Sequence, residues 1–205
     1  MAAHPRRRNR VPSVVVTLAF LGAIGWVVYE MAPQWRRYWA LMSAPAPTHL
    51  PMPVQGVAPR AVANTWGAAR DAGARTHQGV DIFARRGTPI LSPVEGIVIG
   101  VGQDRLGGNV VRVLGPGRQV HYFAHLDAFG GVKPHDWVSP GAILGYVGTT
   151  GNARGTPPHL HYGIYTASGA INPYPLLAAE ASPRTRGRAP ESARAPGTRS
   201  RPATT

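Results

Sequence analysis

A chain of 205 residues has room for one core domain with appendages. It has no cysteine, which excludes disulfides, thiolate metal ligands, a cysteine nucleophile and a lipidated N-terminal cysteine. The net charge of +13 is uneven: residues 1–59 and 181–205 each hold six arginines and one glutamate, leaving +3 on residues 60–180. Basic tails suit contact with anionic surfaces and argue against a domain built for nucleic acid.

Residues 1–10 form a basic segment with Arg6, Arg7, Arg8 and Arg10. Residues 11–29 follow without a charge. At about 1.5 Å per residue they reach roughly 28 Å, the thickness of a bilayer core. The four arginines favour a cytoplasmic N-terminus. Trp26, Tyr29, Trp35, Tyr38 and Trp39 would form an aromatic belt at the far interface, where Arg36 and Arg37 weaken the charge asymmetry. A cleaved signal peptide would have an apolar region of about 7–15 residues followed at once by a small-x-small site. Tyr29-Glu30-Met31 stand there instead, so the reading is an uncleaved transmembrane anchor.

Residues 30–59 read as a Pro-rich spacer, with Pro45, Pro47, Pro51, Pro53 and Pro59. Such a segment is extended and semi-rigid, and would hold the next domain away from a membrane. Residues 60–180 are the domain. Strand-like runs cover Gly79–Phe83, Pro89–Leu91, Gly96–Val101, Asn109–Leu114, Gln119–His125, Ile143–Val147 and His159–Tyr165, punctuated by Gly, Pro, Asn and Asp. No segment of the domain sustains a helical period. The expected class is all-β, an antiparallel β-sandwich. Residues 181–205, rich in Arg and Pro with almost no large apolar group, are expected to be disordered.

Two short stretches carry the chemistry: Thr76-His77-Gln78-Gly79-Val80-Asp81 and Pro158-His159-Leu160-His161-Tyr162. They hold His77, Asp81, His159 and His161, all good ligands for a divalent metal. On a regular strand the Cα atoms of His77 and Asp81 would lie about 13 Å apart, so the chain must bend between them, and Gly79 permits it. Alone, that spacing also fits a surface turn. His159 and His161 project from one strand face, and alone they fit a solvated face. Spacing does not separate their jobs. His121 and His125 also share a face of their strand by alternation, and either could be a supporting or catalytic base. His135 sits in a loop, His49 in the spacer and His4 in the tail, where metal roles are not expected.

Together the motifs resemble the lysostaphin/LytM-type zinc peptidases that cut peptide bonds in bacterial peptidoglycan. The resemblance covers residues 62–177, through THQGVDIFARRGTPILSPVEGIV, GGNVVRV, HYFAHL, VSPGAILGYVGTTGN and PPHLHYGI in that order. It implies an antiparallel β-sandwich with the site in a groove. It implies one Zn²⁺ held by His77, Asp81 and His161, with His159 and His125 as a catalytic pair. Zinc with three protein ligands keeps a position for water, and water so held ionises near neutral pH. The expected enzyme is a zinc metalloendopeptidase acting on peptidoglycan peptides. It would stand at the inner membrane through residues 11–29, with its domain on the periplasmic or wall side and room for protein regulators.

Two positions depart from the pattern. Some members carry a tyrosine shortly before the first histidine; here Arg70 or Arg75 would stand in. Many carry glutamate two residues after the last histidine; here Gly163 stands there. Two other readings compete. A non-catalytic regulator of another wall hydrolase on the same fold is opposed by retention of all five site residues. A biotinyl- or lipoyl-type carrier, suggested by Pro140-Gly141-Ala142-Ile143-Leu144-Gly145, needs a lysine at a tight turn, and Lys133 is the only lysine.

Overall fold

The computed structural model describes residues 13–178; the basic N-terminal segment and the tail expected to be disordered lie outside them. Apolar alternation builds most of the domain. In Val80-Asp81-Ile82-Phe83 the two aliphatic side chains are buried and the residues between and after them are not. The strands in chain order are β1 (Ala69–Arg70), β2 (Arg75–Thr76), β3 (Val80–Phe83), β4 (Pro89–Leu91), β5 (Gly96–Asp104), β6 (Gly108–Leu114), β7 (Val120–Phe129), β8 (Trp137–Val138), β9 (Ile143–Val147), β10 (His159–Thr166) and β11 (Gly169–Ile171). Two helices flank them, α1 (Ser13–Ser43) and α2 (Tyr174–Ala178).

The main sheet runs β11-β10-β7-β6-β5-β8, with β3 on β10 and β9 linking β7 to β4. Every strand pairing is antiparallel. β1 and β2 form a separate ribbon just before the first site stretch. The core gathers Ile82, Ile90, Phe123, Leu126, Leu144, Leu160, Tyr162 and Ile164, all fully buried.

α1 runs well past residue 29, through Pro33 to Ser43. It is the one helix among the described residues long and apolar enough to cross a membrane. Val14, Leu18, Phe20, Trp26 and Tyr29 on its first half are all more than half exposed. Its second half docks on the domain. Arg37 bonds Glu95 at 2.8 Å and lies over the Trp137 ring at 4.1 Å. Leu41 is buried, and the Gly117 amide donates to the Ala44 carbonyl at 2.9 Å.

The segment expected to be a stand-off spacer is instead folded onto the domain. The Leu50 amide donates to Leu176 O, the Gln55 amide to Pro89 O and the Leu91 amide to Pro53 O, at 2.8–3.0 Å. Leu50 and Val54 enter the core. The prolines do keep this stretch extended. Burial of the two aliphatic side chains, at about 1.5–3 kcal/mol each, and the packing of Met52 and Val57 against the core contribute to holding it there.

β7 carries the irregularity that matters most. Asn109 pairs with Leu126 and Val111 with Phe123, so β7 has one residue more than β6 across this stretch. The extra residue makes a β-bulge, and His125 in it takes φ +66°. Plain alternation put His121 and His125 on one face. The bulge breaks it: His121 turns into the core and His125 into the cleft.

His121 is fully buried, with Nδ1 2.6 Å from the Tyr162 hydroxyl and Nε2 without a partner. Burial pushes its imidazole down to about 4. The unfolded chain therefore takes up this proton first as pH falls, so stability drops from about pH 6.5 and levels off below about 4. In metal-stripped protein, His121→Phe is expected to remove roughly 2–3 kcal/mol of the stability lost between pH 7.5 and 4.5, read by urea unfolding. An unchanged pH dependence would show that His121 does not titrate this way.

Candidate active site

Strand register assembles the centre of the site. Asp81 on β3 and His161 on β10 are direct cross-strand partners, and His161 faces Ala124 on β7 from its other side. His77 lies four residues ahead of Asp81, where its amide donates to Ala68 O at 2.9 Å and ties it to the β1–β2 ribbon. The bend brings His77 Nε2 to 3.0 Å from Asp81 Oδ1 and 2.8 Å from His161 Nδ1. His161 Nδ1 is 3.2 Å from the same carboxylate oxygen. The ligand atoms of His77, Asp81 and His161 all lie within 4.8 Å of one another.

Gly79 does not take a positive φ, so its reason to be glycine is one of room. A Cβ there would sit 2.6 Å from the His161 ring and 2.7 Å from the Tyr162 carbonyl oxygen. The need at this position is close approach of an imidazole to bare backbone.

Backbone carbonyls set three of the four imidazoles. His77 Nδ1 meets Thr65 O at 2.7 Å, His125 Nδ1 meets Thr150 O at 2.9 Å and His159 Nδ1 meets Pro157 O at 2.9 Å. A carbonyl only accepts, so each Nδ1 carries the proton when the ring is neutral, and each Nε2 keeps a lone pair. For His77 that lone pair points at the His161–Asp81 cluster. Two imidazole nitrogens and one carboxylate oxygen with such second partners form a donor set that fits zinc.

His125 and His159 stand beside that cluster, their ring centroids 5.0 Å apart. His159 Nε2 is 3.9 Å from Asp81 Oδ1, farther than His77 or His161. Burial first, then the neighbouring His159 and His161, push the His125 imidazole down to about 4. Burial likewise lowers His161. Burial opposes ionisation of Asp81, but the His161 and His77 imidazoles beside it hold its carboxyl far below the usual range.

All five residues line one open cleft of about 970 Å³. One wall is the β5–β6 hairpin, with Asp104 to Gly107; another is the loop carrying Asn152, Ala153 and Thr156. His49 and His135 lie outside it, and His4 outside the described residues. Both cleft arginines named from the sequence, Arg70 and Arg75, line it, and Arg70 bonds the Asp81 carboxylate. At Gly163 a Cβ would sit 3.0 Å from the Tyr165 ring and 3.1 Å from the Gln78 carbonyl oxygen, so the position suits glycine.

Thr65 was not legible as a site residue. Its carbonyl accepts from His77 and its hydroxyl accepts from the Asp81 amide at 3.0 Å. It lies before the motif, and nothing in its surroundings marks it.

The model of peptidase family M23 matches residues 75–173, which contain all five residues. The catalytic domain of lysostaphin from Staphylococcus simulans shares the fold at a TM-score of 0.51, is 30% identical, and is 90% covered by 57% of this chain. The chain belongs to peptidase family M23. M23 peptidases hydrolyse peptidoglycan, and zinc metalloendopeptidase is the family kind. The L-Ala–D-Glu endopeptidase of Bacillus subtilis strain 168 is 42% identical to the M23 chain over 127 residues. The DD-carboxypeptidase/endopeptidase Mpg of Neisseria meningitidis serogroup B is 34% identical over 99 residues. These matches take in 57% and 48% of this chain, and span 39% and 22% of the two relatives.

Proposed function

We propose that this chain is a zinc endopeptidase that hydrolyses peptide cross-links of peptidoglycan. The observation that carries the reading is the convergence of His77, Asp81 and His161, with His125 and His159 beside them in one cleft. His77, Asp81 and His161 would hold the zinc, which supplies Lewis acidity and lowers the pKa of water.

The remaining work falls to side chains of this chain. His125 and His159 present unprotonated Nε2 atoms toward the cleft. One of them takes up the proton released by the water and, as an imidazolium, donates a hydrogen bond to the oxyanion before returning that proton to the leaving amine. The low pKa of His125 keeps it neutral, and so able to accept, across the neutral range. The open cleft between hairpin and loop accommodates an extended peptide.

Residues 11–29, with α1 as their structural counterpart, would anchor the chain in the cytoplasmic membrane. The M23 domain would then stand on the periplasmic or wall side. The exposed apolar first half of α1 and the arginines ahead of it support this.

The test is incubation of the full chain with purified sacculi, followed by mass spectrometry of the released muropeptides. Peptides with newly cut cross-links are expected from the wild type and not from His161→Ala. Release of the same products by both proteins, or by neither, would overturn the reading.

A further inference from the structure

The two oxygens of Asp81 have separate surroundings. Oδ1 faces His77 and His161 at 3.0 and 3.2 Å. Oδ2 accepts from Arg70 Nη2 at 2.6 Å. The carboxylate is mostly buried, with 11% of its side chain exposed against 36% for Arg70. Arg70 is well anchored for the job. It pairs with Arg75 across the β1–β2 ribbon, and Ala68, just ahead of β1, holds the amide of His77. The Asp81 backbone is fixed in turn by Thr65.

A carboxylate can give a metal one oxygen or two. Two would fill the coordination position that hydrolysis needs for water. A short bond from a group that is always charged holds Oδ2 away at every working pH. We propose that Arg70 is a positioning residue that confines Asp81 to one-oxygen ligation and so keeps a coordination position open. This rests on the metal-site reading above. It also gives Arg70 a task other than standing in for a tyrosine.

Cobalt(II) reports coordination number directly, because four-coordinate cobalt absorbs visible light far more strongly than five- or six-coordinate cobalt. Full-length wild type, Arg70→Met and Arg70→Lys would each be titrated with cobalt chloride and the visible absorption read per bound ion. Arg70→Met is expected to bind one cobalt with a roughly twofold or greater loss of absorption, as Asp81 adds its second oxygen. Arg70→Lys, which can still hold Oδ2, should keep the wild-type spectrum. A purely structural role would change the amount bound and not the spectrum of each bound ion. An unchanged spectrum in Arg70→Met, or loss of its cobalt altogether, overturns the proposal. If Arg70→Met does not fold, a changed spectrum in Arg70→Lys does the same. A wild type that binds no cobalt overturns the metal-site reading beneath it.

Discussion

His161→Ala is expected to lose both metal and turnover, whereas His159→Ala keeps most of its metal. The two histidines alternate along β10 and face the same cleft, but their distances differ. His161 Nδ1 lies 3.2 Å from Asp81 Oδ1 and 2.8 Å from His77 Nε2. His159 Nε2 is 3.9 Å from the same oxygen. Removing one ligand of three also leaves the Asp81 carboxylate with fewer donors in a mostly buried place, so no partial site should survive. His77→Ala and Asp81→Ala should behave like His161→Ala. Elemental analysis after dialysis reads the result. A metal-free His159→Ala protein beside a metal-loaded His161→Ala protein would exchange the two roles.

His125→Ala and His159→Ala are each expected to slow turnover by roughly 10²–10⁴ with metal retained, the usual size of a general acid–base contribution. Their rings lie 5.0 Å apart, and each keeps Nε2 free by donating Nδ1–H to a carbonyl. Two groups that pass one proton act as a unit, so the double variant should be little worse than either single. Steady-state rates on released muropeptides give the comparison. Near-normal turnover by His125→Ala would remove it from the chemistry. His121 would not replace it, since its ring points into the core against Tyr162.

Much of this was legible because alternating patterns carry strands without help from tertiary contacts. Pro89–Leu91 and Ile143–Val147 stand where alternation put them, and the other five expected strands differ by one to four residues at their ends. β1, β2 and β8 have two residues each, too few to show any period. Alternation offered His121 and His125 as equals, and only the resemblance preferred His125; the bulge that parts them is invisible to alternation. The bulge has no composition mark: a histidine, not a glycine, takes the positive φ. Proline content misled at residues 44–59, where it reports an extended chain but not whether that chain is free. The contact that decides is Val54 against Ile90, between segments distant in sequence.

The docked end of α1 bears on where such an enzyme could work. A chain on a loose tether sweeps a volume set by tether length, and meets targets at many heights. A helix of 31 residues, about 46 Å long and docked on the domain at its C-terminal end, does not. Arg37 on Glu95 and Trp137, and Leu41 buried below, join the domain to that rod. With residues 11–29 in a bilayer, as proposed, the cleft would patrol a stratum whose height is bounded by that docked helix. Wall growth that lifts material out of that stratum would put it beyond reach, so that distance rather than inhibition would end each bond's exposure.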